Sequence, residues 1–154
     1  MLIKRKDGSV AADIAADKVG TLNGAKLADM DLSGAILDGQ SLEAADLDST
    51  NLNGASLRNV DLYWAVCMGA DFTDADLEGA DLRGAMLQGA LLRRTNLRRS
   101  QMGVDALGGP TKLHGADLTD ACLDGASLRG AIYDEKTKFS TGFDPTTHGM
   151  KLER

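Results

Sequence analysis

The run GADFTDADLEGADLRGAMLQGA, residues 69–90, repeats one five-residue pattern along its whole length. An apolar residue stands at every fifth position, beginning here with Phe72, and an alanine lies two residues before each of them. Followed in both directions, the same apolar column extends from Leu22 to Leu107, and all 18 of its positions are apolar. At the overall apolar content of 43%, chance would produce such a run about once in four million registers. The period therefore reports a structural repeat.

The column slips by one residue after Leu107, resumes at Leu113 and ends at Tyr133, which gives 23 units. Alanine fills the small position in 14 of the 23 units. Asp, Asn or Ser often precedes the apolar residue, and glycine often follows two positions after it. Each unit thus offers one small and one large apolar side chain with a turn-forming glycine between units.

A period of five fits neither the 3.6-residue repeat of an α-helix nor the two-residue repeat of a strand. In a helix the leucines would spread around the whole circumference, and each glycine would cost about 1 kcal/mol. The period fits a chain that turns a corner every five residues, with glycine relieving the turn. Successive coils would then pair their backbones about 4.8 Å apart, as neighbouring strands do.

The runs GADLRGAMLQGA, GADFTDADLEGADLRGA and GADLTDACLDGASLRGA resemble the pentapeptide-repeat family, whose consensus is A-(D/N)-L-x-x. The resemblance covers residues 21–134 and implies an all-β fold, a right-handed quadrilateral β-helix with four pentapeptides to each coil. The 23 units would make just under six coils. Near the phase slip at 108–112, where Gly108, Gly109 and Pro110 lie, we expect a one-residue bulge or a short loop rather than a large protruding one.

Both ends of such a stack need a cover, because unpaired backbone at an open end promotes association. Residues 1–20 are predicted to form an N-terminal cap, with one or two helical turns over 11–18. Residues 135–154 are predicted to form a C-terminal cap or tail. The alternative for this tail is a homodimer through the C-terminal end, as in some members of the family. The apolar side chains available to plug this end are Phe139, Phe143, Met150 and Leu152.

Length and composition exclude several classes of protein. The 154 residues suit one domain, and no stretch approaches the 18 apolar residues that a membrane span requires. The first residues, MLIKRKDGSV, lack the apolar core of a secretion signal. A net charge of −6 disfavours direct nucleic-acid binding. Two cysteines make no disulfide framework, which favours a cytoplasmic location.

The chain carries no recognisable catalytic or metal-binding constellation. His114 and His148 have no Cys, Asp or Glu at metal-ligand spacing, and both are interpreted as surface histidines. Cys67 is predicted to point inward and Cys122 outward, so that they do not pair. No phosphate-binding loop, dinucleotide fingerprint or nucleophile elbow is present. We therefore predict a protein that is not an enzyme and that uses no cofactor or metal.

One cluster of aromatic and apolar residues is predicted to face outward from the middle coils. Trp and Tyr are the residue types favoured at binding hot spots, and exposed apolar patches often mark interfaces. The alternative is that the tryptophan lies flat over the small residues Ala44 and Gly84 and shields backbone. The candidate protein-interaction patch consists of Tyr63, Trp64, Val66, Met68 and Met86.

The only dense basic run is 93–99, which contains four arginines. Alone it suggests phosphate or nucleic-acid binding. A coil period of 20 residues, however, places Arg94 over Asp74 and Arg98 over Glu78. The run is therefore interpreted mainly as a ladder of ion pairs between coils.

Three functions are compatible with these features. The first is a non-catalytic interaction or scaffold module with an unidentified protein partner. The second follows from the resemblance: quinolone-resistance members of the family mimic DNA and act on DNA gyrase or topoisomerase IV, and this chain shares their acidic balance. The third is a structural filler without a specific partner. For the second function, the acidic columns would supply the DNA-like charge: Asp46, Asp61, Asp71, Asp76, Asp81 and Asp117.

Overall fold

The computed structural model describes residues 1–14 and 20–154, which wind into a right-handed β-helix of square section. Most coils are held by single β-bridges, and none of the described residues lies in a helix. The regular strands lie at the two ends: β1 (Leu2–Lys4), β2 (Val10–Asp13), β3 (Asp117–Leu118), β4 (Ile132–Tyr133), β5 (Lys138–Phe139) and β6 (Lys151–Leu152).

Four parallel ladders of bridges define four faces, and each bridge within the regular coils joins residues 20 positions apart. The chain visits faces 1, 2, 3 and 4 in that order, five residues to a face. The predicted quadrilateral coil is confirmed by this pattern. The bridged pairs that represent the faces are Val66–Met86 on face 1, Asp71–Leu91 on face 2, Asp76–Asn96 on face 3 and Asp61–Asp81 on face 4.

Each corner is made by a residue in the left-handed backbone region, two positions after the inward leucine. Gly79 (φ +70°) occupies such a corner without strain, which explains the glycine column of the sequence. The Asp, Asn or Ser before the leucine also has a local purpose. At one corner Oδ1 of Asp81 accepts the backbone N–H of Arg83 at 3.1 Å, which closes the turn. The five-residue repeat therefore reflects the hydrogen bonding of the corner as well as the packing of the core.

The interior is a continuous column of leucines flanked by alanines, and nearly all are fully buried. Where the alanine is replaced by threonine, the hydroxyl finds a backbone acceptor. Thr95 donates to the carbonyl of Phe72 at 2.8 Å, one coil earlier, and Thr50 donates to that of Leu27 at 2.8 Å. Polar side chains are therefore accommodated inside the stack because the neighbouring coil satisfies them.

The phase slip is larger than the sequence predicts. Met86 pairs with Lys112, 26 positions later, whereas Asp81 pairs with Gln101, 20 positions later. The coil thus contains six residues more than a regular coil, and the unit assigned around Leu107 does not belong to the stack. Leu107 is 87% exposed rather than buried. We call residues 103–110 the insertion; its base is closed by an antiparallel bridge between Val104 and Pro110.

The N-terminal end is covered by a hairpin. β1 pairs antiparallel with β2, and Arg5 bridges antiparallel to Ala35 of the first full coil. Ile3 is 1% exposed, so its side chain closes the end of the core. The predicted helical turns over 11–18 are wrong at their start, because Val10–Asp13 is a strand. The part of that prediction at 15–19 lies outside the described residues.

The C-terminal tail begins a further coil but completes only two of its faces. β5 pairs parallel with β3 on face 2, and β6 pairs parallel with β4 on face 1. Between them the tail crosses the end of the core, where the rings of Phe139 and Phe143 stack at 5.0 Å and those of Phe143 and His148 at 4.5 Å. Whether residues 135–154 only cap the stack or also dimerise stays a prediction.

Candidate protein-interaction site

The predicted patch lies on face 1 and at the two corners that bound it. Val66 and Met86 are bridged neighbours on this face, and both are half-buried. Trp64 forms the corner before face 1 and is 44% exposed, whereas Met68 lies directly before Gly69, the corner after face 1, and is 39% exposed. We call Trp64, Val66, Met68 and Met86 the corner patch.

Tyr63, the fifth predicted member, lies apart from the apolar residues of face 1. Its ring meets that of Trp64 edge-on at 6.5 Å, and the guanidinium of Arg83 lies 5.9 Å from its centre. Its own backbone N–H donates to Asp61 at 2.9 Å. The tyrosine therefore belongs to a polar depression of about 260 Å³ on face 4, which Glu43 also lines.

Trp64 is held in place by the insertion. Its indole Nε1–H donates to Oδ2 of Asp105 at 2.7 Å. The ring covers Gly84 so closely that a Cβ there would lie 2.9 Å from Nε1, and a Cβ on Gly109 would lie 3.2 Å from Cζ2. The ring therefore covers Gly84, one of the two small residues named by the alternative, but it packs against the insertion as well and leaves nearly half of its surface exposed.

Asp105 organises the insertion from within. By the five-residue period it would replace an inward alanine, but Thr111 takes that place in the coil, and the side chain of Asp105 is 5% exposed within the insertion. Oδ1 accepts the backbone N–H groups of Leu107 and Gly109, each at 2.7 Å, while Oδ2 accepts the indole. Burial raises the pKa of Asp105, but the hydrogen bonds from Gly109, Leu107 and Trp64 outweigh it and lower the pKa below its ordinary value. The ionised form is thus the one that holds the insertion together.

The insertion also contributes to this surface, which the five-residue period did not predict. Leu107 lies at its tip almost fully in solvent, and Val104 is 41% exposed at its base. The signal was present: the unit around Leu107 has Asp105 in place of alanine and is followed at once by Gly108 and further turn-forming residues. Loss of the alanine alone does not mark an exposed residue, since Leu42 follows Gln40 and is fully buried; at Leu107 it coincides with the glycines that follow.

The six carboxylates proposed as DNA-like columns are spread over all four faces. Each of them accepts the backbone N–H two residues later in a corner turn. Three of them also bind cations: Asp76 contacts Arg58 at 3.6 Å, Asp81 contacts Arg83, and Asp117 contacts Arg93 at 2.7 Å. The three without an ion pair in the described chain are Asp46 on face 1, Asp61 on face 4 and Asp71 on face 2.

The arginines of 93–99 form the expected ladder with one change of partner. Arg94 binds Asp74 through two contacts of 2.7 Å, as the coil period predicts. Arg98 binds Asp124 at 3.4 Å, and Arg99 rather than Arg98 contacts Glu78. The prediction for Arg98 is wrong because the side chain reaches the following coil instead of the preceding one. All four arginines of the run have a carboxylate partner, which favours the structural interpretation.

The histidines and cysteines form no further site in the described ranges. Nε2 of His114 lies 2.7 Å from Glu153, and His148 is exposed with its ring against Phe143. Cys67 is buried, which raises the pKa of its thiol, and Cys122 is half-buried; both are free. No group of three or more potential metal ligands occurs among the described residues.

The repeat is recognised by comparison with known families. The pentapeptide-repeat model matches in eight copies over residues 25–62, 61–99 and 111–132. The chain belongs to the pentapeptide-repeat family. The stretch that the family model leaves out, 100–110, contains the insertion of this pentapeptide-repeat protein, so the sequence departs from the family pattern where the structure leaves the coil.

Solved structures of other pentapeptide-repeat proteins are similar to this one. A member from the cyanobacterium Cyanothece 51142 is 32% identical with a TM-score of 0.60, and the match covers 65% of this chain and 64% of that one. A member from the Arabidopsis thaliana thylakoid lumen is 25% identical with a TM-score of 0.50, covering 71% of this chain and 66% of the other. The match thus spans less than two thirds of either relative.

More distant likeness carries no argument about function. The fluoroquinolone resistance protein QnrB1 is 17% identical with a TM-score of 0.28, over 84% of this chain and 78% of that one. No curated protein sequence matches this pentapeptide-repeat protein significantly. None of the described segments forms a helix of the length and apolarity that crossing a membrane requires.

Proposed function

We propose that this pentapeptide-repeat protein is a non-catalytic interaction module whose protein partner contacts the corner patch together with Leu107. The observation that carries the proposal is the backbone conformation and the fixed position of Trp64. Trp64 stands at a corner with φ +58°, and it is the only aromatic residue among the nine non-glycine residues of the described chain that adopt this backbone region. Left-handed backbone costs such a residue about 1–2 kcal/mol. A strained, half-exposed indole fixed by a buried carboxylate is a rigid aromatic anchor, the kind of group that dominates binding energy.

The surroundings support the same function. Val66, Met86 and Met68 extend the apolar surface along face 1, and Leu107 projects beyond it at the tip of the insertion. Methionine side chains adapt easily to a partner's shape. A rod with few concave surfaces and an apolar corner is suited to binding another macromolecule rather than to transforming a small substrate. A cytoplasmic location stays a prediction.

The proposal is tested by capturing partners on the purified full chain and measuring what is lost in surface variants. Leu107→Asp and Met68→Asp should abolish retention of a specific protein, because each puts a charge into the apolar contact. Ile36→Asp is the matched control, since Ile36 is also an exposed apolar residue, 47% exposed, but lies on face 3. Identical retention by all three variants would refute the proposed site.

Mimicry of DNA towards gyrase or topoisomerase IV is the second candidate, favoured by the net charge of −6 and by the carboxylates of Asp46, Asp61 and Asp71 that have no ion pair in the described chain. It has less support, because the acids lie on every face and half of the proposed columns are neutralised by arginine. A gyrase supercoiling titration, with and without a fluoroquinolone, tests it. Inhibition or drug protection that Asp46→Asn and Asp71→Asn weaken would establish it, and an unchanged reaction would eliminate it.

A further inference from the structure

The last coil of the stack has an open edge on two of its faces. On faces 1 and 2 the tail supplies the next rung, but Cys122 on face 3 and Ser127 on face 4 bridge only backward, to Asn96 and Gln101. Within the described residues, the carbonyl of Ala126 and the N–H of Leu128 have no hydrogen-bonding partner.

In an inner coil of the same face the corresponding groups are both paired. The N–H of Leu82 donates to Gln101 at 2.7 Å, and the carbonyl of Ala80 accepts the N–H of Gln101 at 2.8 Å. One residue of the following coil therefore satisfies both groups at once. The edge at 126–128 presents the same donor and acceptor in the same register, but no residue of the described chain fills the position.

A groove of about 830 Å³ runs along face 4 beside this edge. Ser127 and Leu128 of the last coil and Thr147 and His148 of the tail are among the residues that line it. The tail closes one end of the groove, where the N–H of Gly130 donates to the carbonyl of Gly149 at 2.8 Å. The last coil and the tail bound the groove at this end, and Arg83, Gln101 and the base of the insertion line it further along face 4.

The charge of the groove is opposite to that of the protein. Arg83, Arg129 and Lys151 line it, and no carboxylate does, although the chain as a whole carries a net charge of −6. Arg83 is paired with Asp81, whereas Arg129 and Lys151 have no ion pair in the described part of the chain. Two uncompensated cations beside an unpaired backbone edge favour an acidic ligand.

We propose that this groove binds an acidic, extended segment of a partner protein, which adds a parallel strand to the open edge on face 4. The segment's backbone would take the place of the missing rung at Ala126 and Leu128, as in recognition by strand addition. Its carboxylates would lie beside Arg129 and Lys151. A second copy of this chain is a poor occupant, because its equivalent groove would bring a second pair of cations towards Arg129 and Lys151. The groove shares no residue with the corner patch or with Leu107, although Gly103 and Val104 of the insertion line it, so different variants test the two proposals and each can fail independently.

The test measures binding of a fluorescein-labelled peptide of alternating Val and Glu to the full chain by fluorescence anisotropy. Saturable binding is expected, and the Arg129→Glu/Lys151→Glu double variant should weaken it about tenfold or more by replacing attraction with repulsion. Lys136→Glu is the matched control, because Lys136 is an exposed cation of the same tail but does not line the groove. The affinity of this variant for the peptide should equal that of the wild type.

Strand addition is separated from simple charge attraction by a second peptide with the same sequence, in which every backbone amide is N-methylated so that neither edge can donate. This peptide keeps every carboxylate but cannot form the ladder, so its binding should be lost. Equal affinity of the two peptides, or equal affinity of the double variant and the wild type, would overturn the proposal. So would sedimentation of the free protein as a dimer that the double variant dissociates, because a second copy would then fill the groove.

Discussion

At the scale of single residues, the polar positions of the repeat are explained by the backbone they serve. Asp81 and Asp61 each accept an N–H from the corner that follows them, and Asn51 does the same at 3.1 Å. The preference for Asp, Asn and Ser before the leucine is therefore a requirement of the turn. A column of carboxylates on such a surface does not by itself indicate a binding function.

Asp117 should control part of the acid stability. Burial raises its pKa, but hydrogen bonds from Thr119 and Arg93 outweigh burial and lower the pKa to about 2. Because the folded pKa lies below the ordinary value of 3.8, its contribution is present above about pH 4 and is lost as the pH falls towards 2. Asp117→Asn should therefore lower the free energy of unfolding at pH 7 by roughly 2 kcal/mol and make no difference near pH 2.

Urea unfolding of the wild type and Asp117→Asn from pH 7 to pH 2 measures this difference. Asparagine already occupies the equivalent position at Asn51 and Asn96, so the corner should still form. Asp120→Asn, at an exposed residue of the same corner, is the control and should follow the wild-type curve. A constant gap between wild type and Asp117→Asn at every pH would contradict the assignment.

The buried hydroxyl of Thr95 should also be measurable. Thr95→Val keeps the volume but removes the 2.8 Å hydrogen bond to the carbonyl of Phe72, which retains the N–H of Ala75. The free energy of unfolding should fall by about 1 kcal/mol. The reciprocal change is Val60→Thr, because Val60 is buried at the same position one side of the coil away and its new hydroxyl would face the carbonyl of Leu37. Denaturant unfolding should show this variant to be neutral, and a loss equal to that of Thr95→Val would argue against satisfaction by the neighbouring coil.

At the scale of elements, the insertion is fastened to the coil by Asp105 and, at its base, by the N–H of Val104, which donates to the carbonyl of Arg129 at 3.3 Å. Asp105→Ala should release it, because the N–H groups of Leu107 and Gly109 and the indole of Trp64 all lose their common acceptor. Trp64 is the only tryptophan of the chain, so its emission should shift to longer wavelength as the indole becomes wetter. Amide exchange should speed up in 103–110 only.

Ala106→Ser, an exposed change within the insertion, is the control and should leave emission and exchange as in the wild type. Global unfolding of Asp105→Ala should remain cooperative, because the four ladders do not pass through the insertion. If the emission of Asp105→Ala stays unchanged, the indole is held by Gly84 and its coil rather than by the insertion.

The coil could be predicted from the sequence, whereas the insertion and its contact could not. The period of Leu77 and Leu82 with Ala75 and Ala80 admits one solution, because only a corner every five residues buries both columns. Leu107 keeps the five-residue period but points into solvent. A count of apolar residues cannot distinguish such an exposed leucine from an inward one. The bond between Trp64 and Asp105 joins residues 41 apart, outside the 20-residue register.

The same distinction applies to the charges and to the end groove. Arg94 and Asp74 could be paired in advance because they occupy the same corner of successive coils. The partner of Arg98 could not be predicted from the coil period, because its long side chain can reach either neighbouring coil. The groove at Leu128 depends on where the tail leaves the ladder, and nothing periodic in the sequence fixes that point.

At the scale of the whole molecule, the protein is a one-dimensional stack whose coils contact only their neighbours, so its ends determine how far folding extends. The two ends are closed differently. The N-terminal hairpin covers the core with Ile3 and is fastened to the first coil by backbone bonds, including Ile36 N–H to Lys4 at 2.8 Å and Lys6 N–H to Gly34 at 2.9 Å. The C-terminal tail covers the core with aromatic rings but leaves two faces open.

Ile3→Asp should therefore loosen the stack from its N-terminal end. A buried charge in the N-terminal hairpin should lower the free energy of unfolding by roughly 3 kcal/mol. The first coil then loses the apolar side chain that covers its core. Hydrogen exchange should accelerate first at the amides of Leu22 and Leu27, while those of Leu77 and Leu82 in the middle coils stay protected. Leu2→Asp is the matched control, because Leu2 lies in the same strand but is 56% exposed and points away from the core. Because each coil is held by its neighbours, the loss of protection should fade coil by coil with distance from the hairpin. Uniform acceleration along the chain in Ile3→Asp would instead mean that the stack unfolds as one cooperative unit, with its stability set by the whole core rather than by its ends.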